Sequence, residues 1–139
     1  MTAAAAYPLG TLMLIDDSEI DQMIYRRVAM KSGLVRDIVQ FTRAAEALSH
    51  LVQAAAPHPD LILLDINMPA MDGFEFLEAL MEEGVDPCPI IVMLTTSLNP
   101  RDETRALQFP IVKGFMAKPL TLDALTSLTP LVQGTATLT

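Results

Sequence analysis

The stretch Leu61-Ile62-Leu63-Leu64-Asp65-Ile66-Asn67-Met68-Pro69-Ala70-Met71-Asp72-Gly73 sets four consecutive apolar residues against a carboxylate, and Pro69 and Gly73 then frame a loop. A short, continuously apolar run has no face reserved for water, so it reads as a strand covered on both sides. Asp65 then stands at the carboxyl end of that strand, and a helix over residues 74–83 follows, with Phe74, Leu77 and Met81 turned inward.

The same unit recurs on either side. Residues 11–15 form an apolar run that ends in Asp16-Asp17. Ser18 is a helix cap, with acidic Glu19 and Asp21 in the first turn, where the helix dipole favours negative charge. Ile20, Met23, Ile24 and Val28 recur at helical spacing, Arg26, Arg27 and Lys31 lie toward the end, and Gly33 stops the helix. Residues 35–41 predict a strand. Residues 44–56 predict a helix with Leu48, Leu51, Val52 and Ala55 on one face, ended by Pro57 and Pro59.

Downstream, Gly84 stops the third helix, Pro87 and Pro89 mark a loop, and residues 90–94 predict a fourth strand. Asn99-Pro100 is a helix start, with Asn as cap and Pro at the first position, and this helix ends before Pro110. Residues 114–117 predict a fifth strand, followed by Lys118-Pro119. Thr121 caps a last helix carrying Leu122, Leu125 and Leu128, and residues 129–139 read as a loosely held tail.

Five strand-then-helix units with near-continuously apolar strands predict an α/β doubly wound parallel sheet. Such sheets bind ligands at the carboxyl ends of their strands. Here those ends carry Asp16-Asp17, Asp65, Thr95 and Lys118. Taken singly each has an ordinary explanation as a cap, a turn or a solvated charge; together, on one sheet edge, they form a constellation. Clustered carboxylates repel unless compensated, and a hard cation such as Mg²⁺ offsets that repulsion through oxygen ligands. Lys118 adds a positive charge and Thr95 a hydroxyl. The set suits phosphoryl transfer, in which a carboxylate can serve as nucleophile.

Composition narrows the classes. The 139 residues are 51% hydrophobic and 19% charged, sufficient for one domain with a real core. No apolar run approaches the roughly 18 residues of a membrane span. Residues 1–10 lack Lys and Arg, so no export signal is read, and the single Cys88 allows no internal disulfide. A cytoplasmic location is expected. The net charge of −8 offers no electrostatic footprint for nucleic acid, so neither nucleic-acid nor membrane binding is expected.

The motifs Leu14-Ile15-Asp16-Asp17, Leu63-Leu64-Asp65-Ile66-Asn67-Met68-Pro69 with Met71-Asp72-Gly73, Met93-Leu94-Thr95 and Gly114-Phe115-Met116-Ala117-Lys118-Pro119 together resemble the receiver domain of two-component response regulators. The resemblance runs from about Leu9 to Leu128 and is to the stand-alone, single-domain type similar to the chemotaxis response regulator. It implies a flavodoxin-like five-stranded parallel sheet of order 2-1-3-4-5, with helices on both faces. It implies that Asp65 accepts phosphate from a histidine kinase or a histidine phosphotransfer protein. It implies Mg²⁺ held by Asp16, Asp17, Asp65 and the Asn67 backbone carbonyl, with Thr95 and Lys118 contacting the phosphate. Phe115 would be the aromatic switch that responds to Thr95, and the Lys118–Pro119 peptide would be cis.

The expected layout is a flexible lead over residues 1–8, a receiver over 9–129 and a tail over 130–139, with no output domain. Such a chain is a signalling module rather than an enzyme, catalysing only its own phosphorylation and dephosphorylation. Its output would be a downstream protein target, a homodimer through the fourth helix, fifth strand and fifth helix, or onward transfer of phosphate. Two features depart from the family: Thr96 stands where alanine is frequent, and Gln108-Phe109-Pro110-Ile111-Val112-Lys113 replaces an Ala-Gly turn. Two other readings stand beside this one. A Mg²⁺-dependent phosphatase of the haloacid-dehalogenase type expects Asp-x-Asp where this chain has Asp16-Asp17-Ser18. A phosphorylation-independent adaptor is disfavoured by the complete residue set.

Overall fold

A computed structural model describes residues 7–53, 58–86, 88–97 and 99–133. The elements alternate: β1 (Gly10–Ile15), α1 (Glu19–Ser32), β2 (Val35–Phe41), α2 (Ala44–Val52), β3 (Leu61–Leu64), α3 (Gly73–Glu83), β4 (Ile90–Thr95), α4 (Pro100–Leu107), β5 (Val112–Ala117), α5 (Leu122–Thr126) and α6 (Thr129–Gln133). The five strands are all parallel, in the order β2-β1-β3-β4-β5. This is the doubly wound, flavodoxin-like sheet that the motifs imply.

The continuous apolar runs are explained by which side each residue faces. Met13, Ile15, Ile62, Leu64, Ile91 and Met93 enter one core with Phe74, Phe76, Leu77 and Leu80 of α3 and Ala47 and Leu51 of α2. Leu12, Leu14, Leu61, Leu63, Val92 and Leu94 enter the other, with Tyr25 and Ala29 of α1 and Leu125 of α5. Successive strand residues point to opposite faces, and here both faces are roofed. Each fully buried Leu or Ile contributes about 2 kcal/mol of transfer free energy.

The helix ends follow local chemistry. The Ser18 side chain accepts from the Asp21 amide, Asn99 from Arg101 and Thr121 from Ala124. Asp72 and Glu75 close a reciprocal capping box on α3. Gly33 and Gly84 end α1 and α3 in the left-handed conformation that glycine adopts without strain.

Several sequence-based expectations are corrected. In α1, the apolar residues Ile20, Met23 and Ile24 are exposed, and the buried face is Gln22, Tyr25 and Ala29. In α3, Met81 is exposed and Phe76 and Leu80 are buried beside Phe74 and Leu77. The second helix ends at Val52, which is itself exposed; Ala55 lies outside the described residues. β5 begins two residues early, at Val112, because the Val112 amide donates to the Phe109 carbonyl and the chain re-enters the sheet directly. The segment after Leu128 is not loose through Gln133: α6 forms, and Leu131 and Val132 pack on the second core. Among the described residues no helix is long and apolar enough to cross a membrane.

Candidate functional site

Parallel pairing brings the strand ends level. Ile15 pairs with Leu64, Leu64 with Met93, and Thr95 with Ala117. The ladder continues one residue further: the Asp16 amide donates to the Phe41 carbonyl, the Asp65 amide to Ile15, and the Lys118 amide to Thr95. Side chains widely separated in sequence therefore meet at one edge.

Asp16, Asp17 and Asp65 each offer a carboxylate oxygen within 4.8 Å of the others. Asp16 and Asp65 are buried and Asp17 is exposed. Lys118 Nζ lies 2.8 Å from Asp16 Oδ2, 2.8 Å from Asp21 Oδ2 and 3.2 Å from Asp65 Oδ2. The other oxygen of Asp65 accepts from the Ile66 amide at 2.8 Å. Burial, and then the charge of Asp16, raise the Asp65 carboxyl above its ordinary range, against the opposing pull of Lys118. Burial alone would lower the Lys118 ammonium, but its bonds to Asp16 and Asp21 and the charge of Asp65 hold it above the usual lysine value.

The hard oxygen donors, one of them solvent-facing, fit a small divalent cation such as Mg²⁺. Asn67, two residues beyond Asp65, is exposed at the start of the loop that Pro69 and Gly73 frame. That loop is tight: a Cβ on Gly73 would stand 2.5 Å from the Asp65 carbonyl oxygen and 2.9 Å from Ile66 Cα. Glycine is required there because the backbone of α3 passes directly over the backbone of Asp65.

Thr95 is fully buried at the end of β4, and its Oγ1 accepts from the Ser97 amide at 3.1 Å. Thr96 is exposed. Phe115 is half-buried and packs on the core that contains Phe74, Ala106 and Val112. The Lys118–Pro119 peptide is cis. The site thus gathers Asp16, Asp17, Asp65 and Lys118 in contact range, with Thr95 on the adjoining strand end and Phe115 two residues further back on β5.

The chain belongs to the response regulator receiver family. The receiver-domain model matches residues 12–129. Two-component response regulator 24 of Arabidopsis thaliana is 30% identical over 118 residues, covering 85% of this chain and 80% of that protein. A two-component response regulator from Cytophaga hutchinsonii superposes with a TM-score of 0.82 at 30% identity, covering 91% of this chain and 98% of that one. The phosphorylated cyanobacterial phytochrome response regulator RcpA superposes with a TM-score of 0.71 at 28% identity, covering 90% and 89%. In other curated relatives the matched stretch is a smaller share of the protein, 26% in one and 50% in another. The receiver is a two-component response regulator phosphorylated on aspartate, a membership that disfavours the phosphatase reading.

Three residues around the receiver's acidic cluster were not singled out in the sequence as parts of the site. The Tyr25 hydroxyl donates to Asp16 Oδ2 at 2.6 Å. The Gln22 amide donates to the carbonyls of Leu14, Asp16 and Phe41, anchoring α1 to the ends of β1 and β2. Asp21 binds Lys118. The available signal was the four-residue step from Asp21 to Tyr25, one turn apart on α1 just after Asp16-Asp17.

Proposed function

We propose that Asp65 is the phosphoryl acceptor, that Asp16, Asp17, Asp65 and the Asn67 carbonyl hold Mg²⁺, and that Lys118 and Thr95 engage the phosphoryl oxygens. The observation that carries this reading is the Lys118 ammonium bridging Asp16 and Asp65 beside the three-carboxylate cluster. The donor is a phosphohistidine of a sensor kinase or a phosphotransfer protein. An Asp65 oxygen attacks phosphorus, the new O–P bond forms, and the P–N bond breaks with its electron pair returning to the imidazole. The burial that raises the proton affinity of Asp65 also makes its ionised form the stronger nucleophile, and Lys118 favours that ionised form. Lys118 is placed to follow the charge that builds on the phosphoryl oxygens. Bound Mg²⁺ would supply Lewis-acid neutralisation of the same charge.

The phosphoryl group carries about −1.5 to −2 charges beside Lys118, and because the Asp65 carboxylate gives up its own charge the net gain is about one negative charge, moved outward onto three oxygens. Only the phosphorylated state gives Lys118 and Thr95 a phosphoryl group to bind, so they bias two conformations differently. Thr95 moving off its Ser97 contact is the start of the switch, Phe115 is its relay, and the surface of α4, β5 and α5 is its output. On that surface Leu107 and Leu122 are exposed, whereas Val112 and Leu125 belong to the core. The output is a protein target, a homodimer through this surface or onward transfer of phosphate; the chain's own chemistry is limited to gaining and losing phosphate, in a cytoplasmic setting.

The test is phosphorylation with acetyl phosphate and Mg²⁺. One phosphate per chain is expected, lost in Asp65→Asn. Full-stoichiometry label on that variant would reassign the acceptor.

A further inference from the structure

Lys118 has three N–H donors and three carboxylate partners, and these partners are not equivalent. Asp65 is the proposed nucleophile, and Asp16 belongs to the cluster that fits a cation. Asp21 is neither: it lies outside the three-carboxylate cluster, yet its Oδ2 stands 2.8 Å from Lys118 Nζ. Asp21 is 30% exposed at its side chain, whereas Lys118 is 11% exposed. The backbone of Asp21 is itself pinned, because its amide donates to the Ser18 cap at 3.2 Å. The carboxylate is thus held at a defined point on α1, above a lysine that comes from the far end of the chain, 97 residues away.

Phosphoryl transfer withdraws the other two partners. One Asp65 oxygen becomes a phosphoric anhydride oxygen and loses its negative charge. Asp16 has a cation to satisfy. The bond to Asp21 is the one that neither change touches, from the resting state through transfer. A lysine side chain on a four-carbon stem has much rotamer freedom to lose, and a group not held in place costs rate. We propose that Asp21 is a positioning residue: it tethers Lys118 over the reaction so that the two remaining N–H groups point at the phosphoryl oxygens. The tether acts by hydrogen-bond geometry rather than by charge, since an added negative charge by itself would oppose the arrival of an anionic donor.

This inference rests on the acceptor assignment above, and the test separates the two. Rates of phosphorylation by acetyl phosphate in Mg²⁺ are measured by rapid quench and intact mass for wild type, Asp21→Ala, Asp21→Asn, Lys118→Ala and the double variant Asp21→Ala/Lys118→Ala, with thermal unfolding recorded for each. Asp21→Ala should slow phosphorylation about tenfold, the scale on which removing an orienting partner acts. Asp21→Asn, which keeps an acceptor oxygen, should recover most of that loss. In the Lys118→Ala background, Asp21→Ala should have no further effect, whereas a merely structural role would persist there. An undiminished rate in Asp21→Ala, an equal loss in the Asn variant, or a full additional loss in the double variant would overturn the tether. A wild-type chain that takes no phosphate on Asp65 would instead overturn the acceptor assignment.

Discussion

The Tyr25 hydroxyl donates to Asp16 Oδ2 at 2.6 Å, so the most buried carboxylate of the acidic edge is oriented from α1 by a phenol as well as by Lys118. Burial, and then this bond to Asp16, push the Tyr25 phenol far above its ordinary range. Tyr25→Phe should therefore destabilise the Mg²⁺-free protein by about 2 kcal/mol, the scale of a hydrogen bond to a charged group, read as a lower urea midpoint. In a Tyr7→Phe background, where Tyr25 is the only remaining tyrosine, ultraviolet absorbance should stay flat as pH rises through about 10, the ordinary tyrosine value. Ionisation at that value would mean the hydroxyl is not held by Asp16.

Gly73→Ala should cost about 2 kcal/mol, because the new methyl meets the backbone of Asp65 and Ile66 rather than a side chain that could turn away. The same clash displaces Asp65, so phosphorylation by acetyl phosphate should slow more than in a core variant destabilised at least as much, such as Leu51→Ala. Equal slowing in the two would show that Gly73 serves the fold alone.

The raised Asp65 carboxyl fixes the sign of a pH effect. The folded state holds this proton more tightly than the unfolded state, so folding is disfavoured by Asp65 once pH rises above the folded value, and the penalty disappears below the unfolded value of about 3.9. Without Mg²⁺, Asp65→Asn should raise the melting temperature at pH 7, and the advantage should shrink as pH falls toward 4. A variant less stable than wild type at pH 7 would contradict the burial argument.

Asp17 is the exposed member of the cluster and makes no ion pair with Lys118. Asp17→Ala should leave thermal stability near wild type while abolishing Mg²⁺ binding and Mg²⁺-dependent phosphorylation. Calorimetric Mg²⁺ binding that survives the substitution would move the cation elsewhere.

Phe115→Ala should leave Asp65 phosphorylation close to wild type and remove any phosphorylation-dependent change in sedimentation or partner affinity. A full shift in the variant would mean that the output does not pass through this ring.

The sequence by itself determined the strands, the edge and most helix ends. Four or five consecutive apolar residues bounded by Gly, Pro and Asp suit a short strand roofed on both faces, as β1, β3 and β4 are, and each such strand delivers its next polar residue to the same edge. Ser18, Asn99-Pro100 and Thr121 cap helices through atoms two or three residues away, so local chemistry suffices. Tertiary structure decided what depends on partners distant in the chain. Apolar spacing alone favours Ile20, Met23 and Ile24 as the inner face of α1, yet they face solvent. Gln22 is buried instead because three carbonyls at the ends of β1 and β2 accept from its amide. A buried amide is costly until such acceptors surround it, and only the assembled sheet brings them together. For the same reason Asp21 reads in sequence as a helix-terminal acid and becomes a partner of Lys118 only when β5 lies across the sheet from α1. A carboxylate's role is set by the charge that folding brings within 3 Å of it, and periodicity carries no record of that charge.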